Sequence, residues 1–145
     1  PAHSERTKQD GTACIAHRPG ARHYVAVEAE GYALSAPLIL DSSDSSEPIE
    51  VSVVRGAALR LEVREGGDPL RALVEHSCGH QDELRSKIVG RSSASNYKDF
   101  TDANGVIVFK GLAAGSHTFA VHGPAARVVS IKVSSGELVT SELAY

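Results

Sequence analysis

Apolar residues in this chain alternate with polar ones far more often than they recur every three or four positions. That period of two is the mark of half-buried strands. It predicts strands over Ala58 to Arg64, Ala72 to His76, Val106 to Lys110, His117 to His122, Val128 to Val133 and Leu138 to Leu143. Upstream it predicts Thr12 to Ala16, His23 to Ala29, Ala36 to Leu40 and Ile49 to Val54. Leu59, Leu61 and Val63 share one face. Ile107 and Phe109 share another, set on the core by the large Phe109 ring, with Val106 and Val108 turned outward.

Turn chemistry punctuates these strands. Gly66-Gly-Asp-Pro69, Asn104-Gly105 and Gly111-Leu-Ala-Ala-Gly115 each supply residues suited to tight turns, and Asn-Gly favours a two-residue hairpin loop. Asp41 to Pro48 reads as a solvated loop on its Ser, Asp and Pro content. Between Gly79 and Phe100 the pattern is irregular. Asp82 to Val89 suits either two helical turns, with Leu84 and Ile88 at i, i+4, or a strand with its loop, and Gly90 to Ser95 is loop-like.

The phrase Thr7-Lys-Gln-Asp-Gly11 returns 94 residues later as Thr101-Asp-Ala-Asn-Gly105. The same offset carries His23 onto His117, Ala26 onto Ala120 and Val27 onto Val121. Repetition of turn-plus-strand phrases implies tandem β-modules, a complete one over 55–145 and a partial one over 1–54 that enters near its own midpoint. By the offset, Ala13 and Ile15 face inward and Cys14 outward. The opening strands of the first module are expected upstream of Pro1, from another chain, or lost, and with no Met in the chain the true N-terminus is expected elsewhere.

A chain of 145 residues buries about 70% of its unfolded surface and can hold a core without staples. With 41% hydrophobic and 23% charged residues it has ordinary globular usage, which argues against a largely disordered chain. Net charge is −3 with scattered Lys and Arg, so no footprint for a phosphate backbone exists and nucleic acid is not an expected partner. No apolar run approaches the ~20 residues of a membrane-spanning helix.

The ordered phrases Arg55-Gly-Ala-Ala-Leu-Arg-Leu-Glu-Val63, Gly67-Asp-Pro-Leu-Arg-Ala-Leu-Val74, Thr101-Asp-Ala-Asn-Gly105 with Val108-Phe-Lys-Gly-Leu112, and Ala114-Gly-Ser-His-Thr-Phe-Ala-Val121 together resemble the carboxypeptidase regulatory-like domain. This is a transthyretin-like or prealbumin-like β-sandwich often found in tandem. The likeness runs from about Gly56 to Leu143, and from Thr7 onward in the first module. The aromatic displaced to Phe119 and the long stretch between Gly79 and Phe100 depart from the family pattern. The resemblance implies an all-β Greek-key sandwich of about seven strands, no catalytic apparatus or cofactor, and a structural, spacer or adhesion role. It also implies an extracellular, cell-surface or periplasmic setting.

Candidate chemistry is sparse. In an extended segment His76, Cys78 and His80 share a face, and two imidazoles with a thiolate are a ligand set that zinc accepts, with Glu75 or Asp82 to complete it. Set against that are strand spacing of ~7 Å between same-face neighbours and the break at Gly79. Cys14 and Cys78 permit one bridge, with two separate thiols as the plainer expectation. Asp41 to Glu47 has the alternating oxygens of a calcium loop without its mid-loop Gly. No Gly-x-Ser-x-Gly elbow is present, and His23 and His117 read as strand-start residues. Sugars favour aromatic platforms; the chain has no Trp, 4 Tyr and 3 Phe, and Tyr32 and Tyr97 fall in loop-like positions.

Two functions follow as expectations. The first is a non-catalytic structural, spacer or adhesion module of a larger exported protein, its partners being neighbouring domains or another chain, with Val51 to Leu59 forming a short, stiff joint. The alternative is a glycan- or peptide-binding module acting through loops or an exposed edge strand, with homo-oligomers formed through the incomplete module.

Overall fold

The computed structural model describes residues 5–16, 20–35, 38–40, 48–77 and 97–145, and every regular element among them is a strand. In chain order these are β1 (His23–Val25), β2 (Leu38–Leu40), β3 (Ala57–Glu65), β4 (Asp68–Pro69), β5 (Leu73–Ser77), β6 (Tyr97–Phe100), β7 (Val106–Leu112), β8 (Gly115–His122), β9 (Ala126–Val133) and β10 (Leu138–Ala144). One sheet has β3 at its centre, with β10 parallel on one side and β7 and β4 antiparallel on the other. The second sheet has the antiparallel order β6-β5-β8-β9.

Strand alternation builds the space between them. Ala57, Leu59, Leu61 and Val63 of β3 and Ile107 and Phe109 of β7 meet Val74 of β5 and Phe119 and Val121 of β8, all of them buried. The Phe109 and Phe119 rings lie 4.9 Å apart at 53°, tying one sheet to the other in a tilted aromatic contact. Each fully buried Val, Leu or Phe among them contributes about 1.5–3 kcal/mol relative to leaving it exposed. Arg127 closes the rim beside β9 and β10. Its guanidinium donates to the Ala144 carbonyl at 2.7 Å and lies 4.5 Å from the Tyr145 ring centroid.

The turns follow their residues. Gly66 and Gly67 at φ 58° and 94° form the two-residue loop between β3 and β4, where positive φ at both centres matches the twist of a hairpin. In the Asp102-Ala-Asn-Gly105 turn, Asp102 Oδ1 accepts from the Asn104 and Val106 amides, each at 2.9 Å. Gly105 has φ +73°, and a Cβ there would press into the Val63 carbonyl and the Leu70 amide. Val106, expected outward, is buried at the point where this turn closes back on it, its carbonyl accepting from the Asp102 amide at 2.8 Å.

The upstream repeat phrase adopts the same backbone loop. Lys8 N donates to Thr12 O and Gly11 N to Lys8 O, as Asp102 N does to Val106 O and Gly105 N to Asp102 O. In the upstream copy the side-chain acceptor moves by two residues, Asp10 Oδ1 accepting from the Thr12 amide and hydroxyl. The hairpins do not share a register: the same offset would carry Leu40 onto Ser134, whereas His23 pairs with Leu40 in β1–β2 and His117 with Ile131 in β8–β9.

Residues 12–16 and 49–54 are not strands, contrary to their alternation. A strand needs a ladder, and among the described residues neither segment has one, so Ile15 and Ile49 are 45% and 52% exposed. For the same reason the strand expected over His23 to Ala29 shortens to the three residues that face β2.

Candidate functional site

Two features stand apart from ordinary core packing: a backbone joint at the start of β3 and a pair of buried histidines that reaches toward it. In the joint Tyr32 forms an isolated antiparallel bridge with Arg55. Ala33 N donates to Val54 O at 2.9 Å and Gly56 N to Gly31 O at 3.1 Å, while Ser135 Oγ donates to Arg55 O at 2.8 Å. Glycine makes this approach feasible. A Cβ on Gly56 would lie 2.5 Å from Gly111 Cα and 3.1 Å from Ala33 N, and one on Gly111, at φ +70°, would lie 3.1 Å from Tyr32 O. Ala33, Leu34, Val54, Ala113 and Ala114 wall a groove of about 320 Å³ beside these bonds. The Ser35 hydroxyl, on the same wall, already accepts from Val27 N at 2.8 Å. What such an arrangement does chemically is fix one backbone against another.

His76 and His117 each show 5% of their surface. His117 Nε2 lies 2.7 Å from the Ala113 carbonyl, an acceptor only, so that nitrogen carries the proton. With both rings neutral, His117 Nδ1 then accepts from His76 Nε2–H at 2.9 Å. The His76 ring stacks on Phe119 at 4.7 Å and 22° and tilts against Phe109 at 5.6 Å. A hydrogen-bonded line thus runs from the centre of the sandwich to Ala113 in the groove wall.

His76 was expected either to end its strand and enter a loop as an ordinary polar residue, the plainer reading, or to be one of three metal ligands with Cys78 and His80. It is the next-to-last residue of β5 and faces the core, while Cys78, His80 and Asp82 lie outside the described residues. Glu75 points the other way, its carboxylate 3.5 Å from His122 Nε2. Among the described residues no three His, Cys, Asp or Glu side chains gather as metal ligands. Cys14 is an exposed free thiol. The acidic loop over 41–47 lies outside the described residues. Tyr32 belongs to the joint, and Tyr97 opens β6 opposite His76 in register. The histidine pair was missed in the sequence, yet parity held its signal: His76 follows Val74 by two and His117 precedes Phe119 by two, so both fall on inward faces.

Elsewhere charge is at the surface. Glu62 accepts from Arg60 Nε at 2.9 Å and from Arg64 at 3.1 Å, and these bonds, Arg60 first, hold its carboxyl below the usual range. The Thr12 hydroxyl and amide do the same for Asp10. Such exposed pairs contribute little to stability.

No protein-family model and no curated protein matches the sequence. Among solved structures, the chain is similar to the Bacillus anthracis TIE protein at 19% identity and a TM-score of 0.44, covering 77% of this chain and 20% of that one. It is similar to GBS52, the minor pilin of Streptococcus agalactiae, at 18% identity and a TM-score of 0.45, covering 95% and 65%. It is also similar to a streptococcal ancillary pilin at 14% identity and a TM-score of 0.42, covering 88% and 45%. The chain therefore spans less than two thirds of each of these proteins, and no activity or partner is carried over from them.

Proposed function

We propose that the chain is a non-catalytic structural module, a spacer that transmits tension and holds orientation between neighbouring parts of a larger exported protein. The single observation that carries this reading is the parallel pairing of β3 with β10 over seven consecutive register pairs, Ala58 with Leu138 through Arg64 with Ala144. Tension entering at the start of β3 and leaving at the end of β10 pulls the two strands in opposite directions along their length. All the ladder bonds are then loaded together, whereas an antiparallel hairpin pulled from its open end gives way one pair at a time.

The glycine-lined joint supports the same reading, because a spacer with a loose connection sets no orientation. On this proposal residues 55–145 are a complete module of the carboxypeptidase regulatory-like kind and residues 1–54 the later strands of a preceding copy. The matching turns at Gly11 and Gly105 support that division.

Single-molecule force spectroscopy tests it, with handles on cysteines introduced by Arg55→Cys and Tyr145→Cys in a Cys14→Ser, Cys78→Ser background. Unfolding through these points should need clearly higher force than through Arg55→Cys and Ala114→Cys, which peel β3 from β7. Equal forces in the two geometries would reject the tension-bearing role.

A further inference from the structure

The open edge of β9 and the extended segment 49–54 are complementary, and we propose that they pair between copies, joining the protein head to tail by strand addition. β9 is eight residues of unbroken ladder with β8 on one side. Among the described residues it is the last strand of its sheet, it carries no Pro or bulge, and its Arg127 and Lys132 make it basic. An unprotected edge of this kind offers a row of backbone donors and acceptors to an incoming strand.

The segment 49–54 reads Ile-Glu-Val-Ser-Val-Val and has no ladder partner among the described residues. Laid antiparallel with Glu50 opposite Lys132, it sets Ser52 opposite Ser130 and Val54 opposite Val128 on the outer face. All six residues are exposed, Val54 by 59% and Val128 by 71%. The same register sets Ile49, Val51 and Val53 opposite Val133, Ile131 and Val129, extending the inward apolar row of β9. Each position thus meets its own kind or its opposite charge, and opposed pairs are what stabilise one strand against the next. A shift by one residue would turn every side chain to the wrong face.

Because the two surfaces differ, the contact is heterologous, and each added copy presents a fresh β9 edge. The occupant is therefore a second copy of this chain, and the product is an open string. The spacer reading does not depend on it, since a protein that remains single can still bear tension between its ends.

Sedimentation velocity across a concentration series is the test. The wild type should grow in mean mass beyond a dimer without a plateau. Glu50→Lys and Lys132→Glu should each move the onset of association to about tenfold higher concentration, since each opposes like charges at the contact. An equimolar mixture of the two variants should regain wild-type association, because both contacts then pair opposite charges. Thermal melts of both variants should match the wild type, both sites being exposed. A monomer at every concentration would overturn the proposal, as would a mixture that fails to recover. A closed dimer weakened by Lys132→Glu and indifferent to Glu50→Lys would also overturn it, since that describes symmetric pairing of β9 with itself.

Discussion

His76 and His117 occupy two places where β5 and β8 would ordinarily carry aliphatic side chains, and they are tolerated because each supplies the other's partner. His117→Leu leaves the His76 Nε2–H without its acceptor in the core, a loss expected to cost about 1–3 kcal/mol in urea unfolding. The double His76→Leu, His117→Leu variant should lose less than the sum of the two singles, the difference measuring their coupling. Glu62 gives a pH signature. Its carboxyl lies below the usual range when folded, so its contribution is present above the unfolded value and disappears as pH falls through the folded one. Glu62→Gln should therefore lower stability slightly at neutral pH, match the wild type once pH has fallen below the folded value, and so flatten the acid limb of the stability–pH profile. At this scale the sequence was legible by parity, which put Leu59, Leu61, Val63 and Phe109 in the core. The imidazole pair escaped because a histidine on an inward face announces neither its rotamer nor its partner 41 positions away.

Turns and strands separate what local sequence decides from what pairing decides. The loops closing at Gly11 and Gly105 share their backbone bonds and the sign of φ, yet one is bare and the other is pressed against Val63 and Leu70. Gly105→Ala should accordingly destabilise the fold by about 1–3 kcal/mol through left-handed strain and displacement of β3. Gly11→Ala, at φ +82° but with nothing within 4 Å of the new Cβ, bears the left-handed strain alone and should move the urea midpoint less than Gly105→Ala does. The recurrence was legible because a turn is written in its own residues. The strand expected at Thr12 to Ala16 was not realised, because alternation states a preference for a ladder without supplying the neighbouring strand. β3, with its partners β10 and β7 on either side, was legible to within a residue at each end.

For the molecule as a whole, the sandwich over 57–145 contains the entire clustered core of the described residues, and the preceding residues meet it through backbone bonds at Gly31, Ala33, Val54 and Gly56. Alternation across Val51 to Leu59 had suggested a stiff connection, but what stiffens it is the contact of Gly56 with Gly111, brought together by the fold from 55 residues apart. The central claim is that this joint fixes orientation. Backbone N–H residual dipolar couplings in a weakly aligning medium address it directly. A single alignment tensor fitting the amides of residues 22–35 and of β3 to β10 together is the result expected. A separate, weaker tensor for residues 22–35 would mean that the joint swings freely, and the spacer that sets orientation would have to be abandoned.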